Sequence, residues 1–127
     1  MQYTRGGLAA VLLLAGSPAF ARQSLDCGSP GRRGFEMSVS VGSAGGVDLV
    51  RIVDGRRELV AAYPRPYPRI ARGFLAEAGR LSVRLVGRDG RTPVAIIETR
   101  TTRRAHIGTL RYRGQTLRIS CQWEPQE

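Results

Sequence analysis

The sequence predicts an all-β fold: a small antiparallel meander of about seven or eight strands, closed as a barrel or folded as a sandwich. Three observations lead to this prediction. Apolar and polar residues alternate over several short segments, glycine-containing turn signals separate these segments, and one cysteine lies near each end of the region after residue 21. The chain has 127 residues, which gives room for one hydrophobic core.

The N-terminal strands are predicted from residues that repeat with a period of two. Residues 35–41 carry an apolar side chain at every second position, which places these side chains on one face of a half-buried strand. They are Phe35, Met37, Val39 and Val41. A turn at residues 43–46 leads to a β-branched run at residues 47–53. Asp54-Gly55 then predicts a tight hairpin into residues 58–63, and a two-residue loop would place Arg51 opposite Glu58.

Residues 63–79 interrupt this pattern. The stretch from residue 63 to residue 69 reads Tyr-Pro-Arg-Pro-Tyr-Pro-Arg. Proline cannot donate a hydrogen bond to a central ladder, so we expect an extended connection of polyproline type. After this proline-rich stretch, the spacing of four apolar residues predicts a short helix that ends at Gly79, and an extra strand is the alternative. The residues spaced for that helix face are Ile70, Phe74, Leu75 and Ala78.

Two further hairpins are predicted in the C-terminal half. Asp89-Gly90 as a two-residue loop pairs Leu85 with Val94 and Val83 with Ile96. A turn at Arg113-Gly114 sets the register of the last hairpin in the same way. Its pairs are Tyr112 with Gln115, Leu110 with Leu117, Gly108 with Ile119, and His106 with Cys121. The side chains expected to face inward are Leu110, Tyr112, Leu117, Ile119, Cys121 and Trp123.

Residues 1–21 have the features of an export signal. Arg5 precedes an apolar segment at residues 8–15, and small residues stand before an expected cleavage after Ala21. The apolar segment is too short for a membrane span, which needs roughly 20 apolar residues, so we expect no transmembrane anchor after cleavage. Asp26 before Cys27 disfavours lipidation. The sequence thus predicts a cleaved signal peptide and a single β-domain of residues 22–127, periplasmic or secreted.

Cys27 and Cys121 are the two cysteines of the chain. An oxidising compartment would join them in a disulfide bond between the N- and C-terminal regions. Such a bond requires Cα atoms within about 7 Å of each other, so the first and last strands are expected to be neighbours. For a loop of about 100 residues, the chain-entropy model gives a stabilisation of about 4.7 kcal/mol at most.

The charge predicts an anionic partner. The chain has 20 basic residues against 10 acidic ones, and every basic residue is arginine. This bias reflects either selection for binding or the use of GC-rich codons. The strongest clustering lies in the last two hairpins, at Arg100, Arg103, Arg104, Arg111, Arg113 and Arg118. Arginine binds carboxylate and phosphate through two parallel hydrogen bonds, so these residues are the candidate anion site. The expected partner is an anionic envelope component or an acidic protein.

Other functions have weaker support in the sequence. His106 is the only histidine, and no catalytic or metal-binding motif accompanies it, so we expect neither an enzyme nor a cofactor. Export and the scarcity of aromatic residues argue against nucleic acid as a physiological partner. The alternative is a periplasmic inhibitor or immunity-type protein that binds another protein through its Tyr/Pro loop. The candidate residues of that loop are Tyr63, Arg65, Tyr67 and Arg69. The sequence leaves the oligomeric state open.

Overall fold

A computed structural model of the protein describes residues 22–64, 67–103 and 105–125. These residues form nine β-strands and no helix. The strands are β1 (Arg22–Gly28), β2 (Phe35–Gly42), β3 (Val47–Asp54), β4 (Arg57–Ala62), β5 (Arg69–Leu75), β6 (Arg80–Val86), β7 (Pro93–Thr102), β8 (Ala105–Tyr112) and β9 (Gln115–Trp123). Each strand neighbours the next along the chain, and β9 pairs with β1, so the sheet closes into a barrel. The residues of the expected signal peptide lie outside the described range.

The core fills the inside of the barrel because inward positions along the strands are apolar. In β2, all four side chains predicted to face inward are buried; they are Phe35, Met37, Val39 and Val41. The same alternation continues in β6, where Leu81, Val83 and Leu85 are buried. Burial of one apolar face on every strand stabilises the barrel by about 25 cal/mol for each Å² removed from water.

The Cys27–Cys121 disulfide joins β1 to β9, as expected from the sequence. The two residues lie directly opposite each other, with their Cα atoms 4.0 Å apart. This pairing closes the ring, so the architecture is a barrel and not a sandwich. The sequence did not predict β1 as a strand, since only Leu25 and Cys27 mark its buried face.

The helix predicted after the proline-rich stretch is wrong, and the alternative of an extra strand is confirmed. The reason is a β-bulge between Ile70 and Arg72. A bulge inserts one extra residue into one strand. Two residues on opposite sides of the bulge therefore point to the same face when their residue numbers differ by an odd number. Ile70 and Leu75 therefore both pack inward, while Phe74 points outward with 51% of its surface exposed. The spacing of Ile70, Phe74 and Leu75 therefore resembles the spacing of residues on one face of a helix.

The first predicted hairpin register is also wrong. Asp54 pairs with Arg57, so the loop is Gly55-Arg56, and Arg51 lies opposite Val60. Arg51 and Glu58 lie diagonally across the two strands on the outer surface of the barrel, and in this position they form an ion pair.

The hairpin between β6 and β7 differs from its prediction by one residue. Leu85 pairs with Ala95 and Val83 with Ile97, which leaves Val94 and Ile96 half-buried. Six residues separate the two strands, because Asp89 organises a longer loop. Its carboxylate accepts hydrogen bonds from the backbone N–H groups of residues 91 and 92.

The last hairpin agrees with its prediction in all four pairs. Arg113 and Gly114 have φ values of 54° and 75°, the left-handed geometry of a tight turn between twisted strands. Most of the inward residues are buried as expected. Leu117 is half-buried, and Trp123 lies at the end of the barrel with 37% of its surface exposed.

The junction between β4 and β5 is the least regular part of the barrel. The two strands run parallel and share one pair, Ala62 with Arg69. The described residues of the connection between them, 63–64 and 67–68, form bends, whereas a polyproline-type extension was expected there; residues 65 and 66 lie outside the described ranges. A bridge between Gly46 and Phe74 brings β5 against the start of β3.

Candidate anion-binding face

The structure separates the arginines that the sequence grouped as one anion site. Arg100, Arg111 and Arg118 are exposed on the outer surface of β7, β8 and β9. Arg103 and Arg113 occupy the turns at opposite ends of β8, a strand of eight residues, so about 26 Å separates them. These two residues therefore cannot contact the same small anion. Arg104 lies outside the described residues.

Strand pairing brings other arginines next to this group. Arg80 of β6 lies directly opposite Arg100 of β7. Arg72 of β5 lies directly opposite Arg84 of β6 in the same way. Arg72, Arg80 and Arg84 were not predicted as site residues, because the members of each pair are distant along the chain. The alternation of β6 was an available signal, since it places Arg80, Ser82 and Arg84 on its outer side.

We define the arginine face as the exposed arginines on the outer surface of β5–β9. They are Arg72, Arg80, Arg84, Arg100, Arg111 and Arg118. These five strands contain seven arginines in total and one acidic residue, Glu98. Strands β1–β4 contain three arginines and five acidic residues. Positive charge is therefore concentrated on strands β5–β9, whereas acidic residues outnumber arginines on strands β1–β4. The net charge of the chain alone does not imply this separation.

Within the described residues, Glu98 is the one acidic residue on strands β5–β9, and it forms no ion pair with an arginine of this face. Among the described residues, no arginine of this face forms an ion pair, whereas Arg32 pairs with Asp54 and Arg51 with Glu58 elsewhere. Arg84 donates a hydrogen bond to the carbonyl oxygen of Arg91 over 3.2 Å. Like charges directly opposite each other destabilise a sheet, so an anion bound between Arg80 and Arg100 would relieve repulsion.

A groove of about 370 Å³ lies beside Arg80 and Arg100 on the arginine face. Arg80, Ser82 and Arg100 contribute hydrogen-bond donors to its lining, and Ile107 contributes an apolar wall. Glu98 also lines the groove. Its carboxylate repels an anion, so the arginine side of the groove is the part suited to phosphate or carboxylate oxygens.

Of the residues proposed for a protein partner, Tyr63 and Tyr67 lie in the connection between β4 and β5, and Arg69 begins β5. Tyr63 and Tyr67 have 64% and 46% of their surfaces exposed. The guanidinium carbon of Arg69 lies 5.7 Å from the centre of the Tyr67 ring, within the range of a cation–π contact. Arg65 lies outside the described residues. The described part of the connection therefore exposes two tyrosine rings, with the half-buried Arg69 beside the second.

His106 is buried at one end of the barrel. Its Nδ1 atom lies 3.3 Å from Oγ1 of Thr101, and its ring meets Trp123 edge-on with the ring centres 5.7 Å apart. Burial lowers the pKa of His106 below its ordinary value, so the neutral ring is favoured. Within the described ranges, no three His, Cys, Asp or Glu side chains are grouped as a metal site would require.

Comparisons with protein-family models, with curated proteins and with solved structures find no match. None of the described residues belongs to a helix able to span a membrane. The fold and the site together define a small disulfide-linked β-barrel with one strongly basic outer face.

Proposed function

We propose that this protein is an exported, noncatalytic binding module whose arginine face binds an anionic polymer of the cell envelope. The observation that supports this proposal best is the segregation of charge, with seven arginines and one acid on β5–β9. A codon bias would raise the arginine content of both halves of the barrel, but β1–β4 carry more acids than arginines.

The spacing of the arginines favours a polymer over a single small anion. Arg80 and Arg84 are four positions apart on one strand, which separates them by about 13 Å. The face spans five strands, or about 19 Å across the sheet. Guanidinium groups this far apart cannot all contact one phosphate group, whereas a chain with repeated negative charges can extend across the face.

The physical mechanism is electrostatic attraction followed by guanidinium hydrogen bonding. Unpaired positive charges on one face raise the local potential and steer an anionic partner toward that face. Salt screens exposed charges beyond about 10 Å at 0.1 M ionic strength, so binding should weaken as salt rises. The disulfide is compatible with an oxidising, exported compartment, where envelope polymers are found.

The test measures binding of the oxidised protein to fluorescent heparin by anisotropy over a series of salt concentrations. We expect saturable binding at low salt, with affinity falling steadily as salt increases. The double variant Arg80→Gln/Arg100→Gln should bind about tenfold more weakly, since it removes the directly opposed pair.

The matched control is Arg33→Gln/Arg56→Gln, which removes the same charge from two exposed turn residues outside the arginine face. We expect this control to retain most of the affinity. Equal losses in both variants would show dependence on net charge alone and would overturn the proposed face, as would binding that does not respond to salt. Preference for polyglutamate over heparin would point to an acidic protein instead.

A second candidate is an inhibitor or immunity-type protein acting through the Tyr/Pro loop. The exposure of two aromatic rings favours it, because tyrosine and arginine are frequent anchors at protein interfaces. Tyr63→Ala/Tyr67→Ala should leave heparin binding unchanged. If capture of a protein from the cell envelope falls sharply in this variant and survives in Arg80→Gln/Arg100→Gln, the second candidate is favoured.

A further inference from the structure

One end of the barrel opens into a depression of about 930 Å³, which we call the barrel mouth. The turns at residues 43–46 and 76–79 form its rim, together with the ends of β1, β7, β8 and β9. The first turn is held against the end of β5, where the N–H of Leu75 donates to the carbonyl oxygen of Gly45 over 2.7 Å. A Cβ atom at Gly45 would lie 2.6 Å from the carbonyl oxygen of Leu75, so only glycine allows this approach.

The chemistry of the barrel mouth differs from that of the rest of the surface. Its walls include Val41, Phe74, Leu75 and Trp123, and its one acidic residue is Glu77. Among the described residues, no arginine lines it, although the chain contains 20 basic residues, all of them arginine. The described lining offers an anionic ligand no countercharge, so it suits an uncharged molecule with an apolar ring.

His106 provides a hydrogen-bond acceptor in this apolar setting. Thr101 donates its hydroxyl proton to the carbonyl oxygen of Gly79 over 3.0 Å, since a carbonyl can only accept. The same hydroxyl oxygen can then accept a proton from Nδ1 of His106, 3.3 Å away. A neutral histidine with its proton on Nδ1 has a free lone pair on Nε2. Within the described residues, Nε2 has no hydrogen-bond partner.

We propose that the barrel mouth binds a small uncharged aromatic molecule that carries a hydroxyl group, as a phenol does. The ring packs against Phe74 and Trp123, which are 51% and 37% exposed although both are large apolar side chains. The hydroxyl donates to Nε2 of His106. The volume lies within the range of pockets that enclose small organic ligands, and barrel mouths are a common place for such sites.

Trp123 makes this proposal directly measurable, because it is the only tryptophan of the chain. Naphthol is the probe, and quenching of Trp123 fluorescence in the oxidised protein is the readout. We expect saturable quenching by naphthol and weaker quenching by naphthalene, which lacks the hydroxyl. Naphthoate, which is anionic, should bind more weakly than naphthol at the mouth.

The variants test the two recognition elements separately. Phe74→Ala should weaken naphthol binding about fivefold through loss of ring packing, and the exposure of Phe74 makes the substitution compatible with folding. Tyr63→Ala, which removes an exposed ring elsewhere, should leave binding unchanged. His106→Phe should remove the preference for naphthol over naphthalene.

Three results would overturn the proposal: the absence of saturable quenching, equal effects of Phe74→Ala and Tyr63→Ala, or a preference for naphthoate. Retention of the hydroxyl preference in a folded His106→Phe variant would exclude the proposed role of Nε2. If His106→Phe does not fold, naphthol and naphthalene are each compared in the parent protein and in Phe74→Ala. This comparison still decides whether the mouth is the site.

Discussion

Gly108 occupies a position in the barrel that accepts no side chain. It lies on β8 between Thr99 of β7 and Ile119 of β9. A Cβ atom at Gly108 would lie 1.8 Å from the carbonyl oxygen of Glu98 and 2.6 Å from the Cα of Thr99. Both obstacles are backbone atoms, so no change of rotamer can relieve the overlap. β7 and β8 would have to separate locally.

We therefore expect Gly108→Ala to lower the free energy of unfolding by about 3 kcal/mol or more. Overpacking costs about 1–3 kcal/mol, and each disturbed ladder hydrogen bond adds about 1 kcal/mol. The melting temperature should fall by more than about 10 °C. Urea unfolding of the oxidised protein, followed by far-UV circular dichroism, measures the free-energy change.

Gly28→Ala is the matched control, because Gly28 is also a strand residue but a Cβ atom there would meet nothing within 4 Å. Alanine restricts the unfolded chain, so this variant should gain about 0.4–1 kcal/mol. The steric reasoning fails if both variants change stability in the same direction, or if Gly108→Ala unfolds at the same urea concentration as the parent protein.

Three further predictions concern single polar groups. The hydroxyl of Thr99 is buried without a hydrogen-bond partner in the described structure. Thr99→Val should therefore raise the free energy of unfolding, measured by urea unfolding, by about 1 kcal/mol. A loss of stability would contradict this prediction. The hydroxyl of Thr92, with backbone N–H groups, lowers the pKa of Asp89 from 3.8 to about 2. Stability from Asp89 is therefore present above pH 3.8 and is lost as pH falls toward 2, and Asp89→Ala should flatten the melting temperature across this window. Burial lowers the pKa of His106 below 6.5, so the unfolded chain binds the proton more readily and stability should decrease as pH falls below 6.5. An unchanged pH profile in His106→Phe would refute this assignment.

Local patterns predicted most of the strands because the side-chain period of a strand is a property of the backbone itself. The last hairpin shows this well, since its turn and all four of its pairs follow from Arg113-Gly114 and the flanking alternation. Bulges limit what the alternation of apolar and polar residues can predict. The bulges in β5 and at Val94 of β7 change which residues share a face, and sequence alternation carries no mark of that change.

The candidate site was predicted in part. Arg100, Arg111 and Arg118 are on the outer surface of neighbouring strands, as alternation implies. Arg72 and Arg80 belong to the same face only because β5 and β6 lie next to β7 in the closed sheet. Conversely, the turn residues Arg103 and Arg113 are close to the others in sequence but are held apart by the length of β8.

The amino-acid sequence by itself determined the all-β class, the inward side of most strands and the pairing of Cys27 with Cys121. These features follow from local backbone geometry or from the small number of cysteines. The tertiary structure alone decided that nine strands close into a ring, that the arginines segregate to one side, and that no arginine among the described residues lines the barrel mouth. These features depend on which strands become neighbours and where the ends of the strands meet, and contacts between residues distant in the chain determine both.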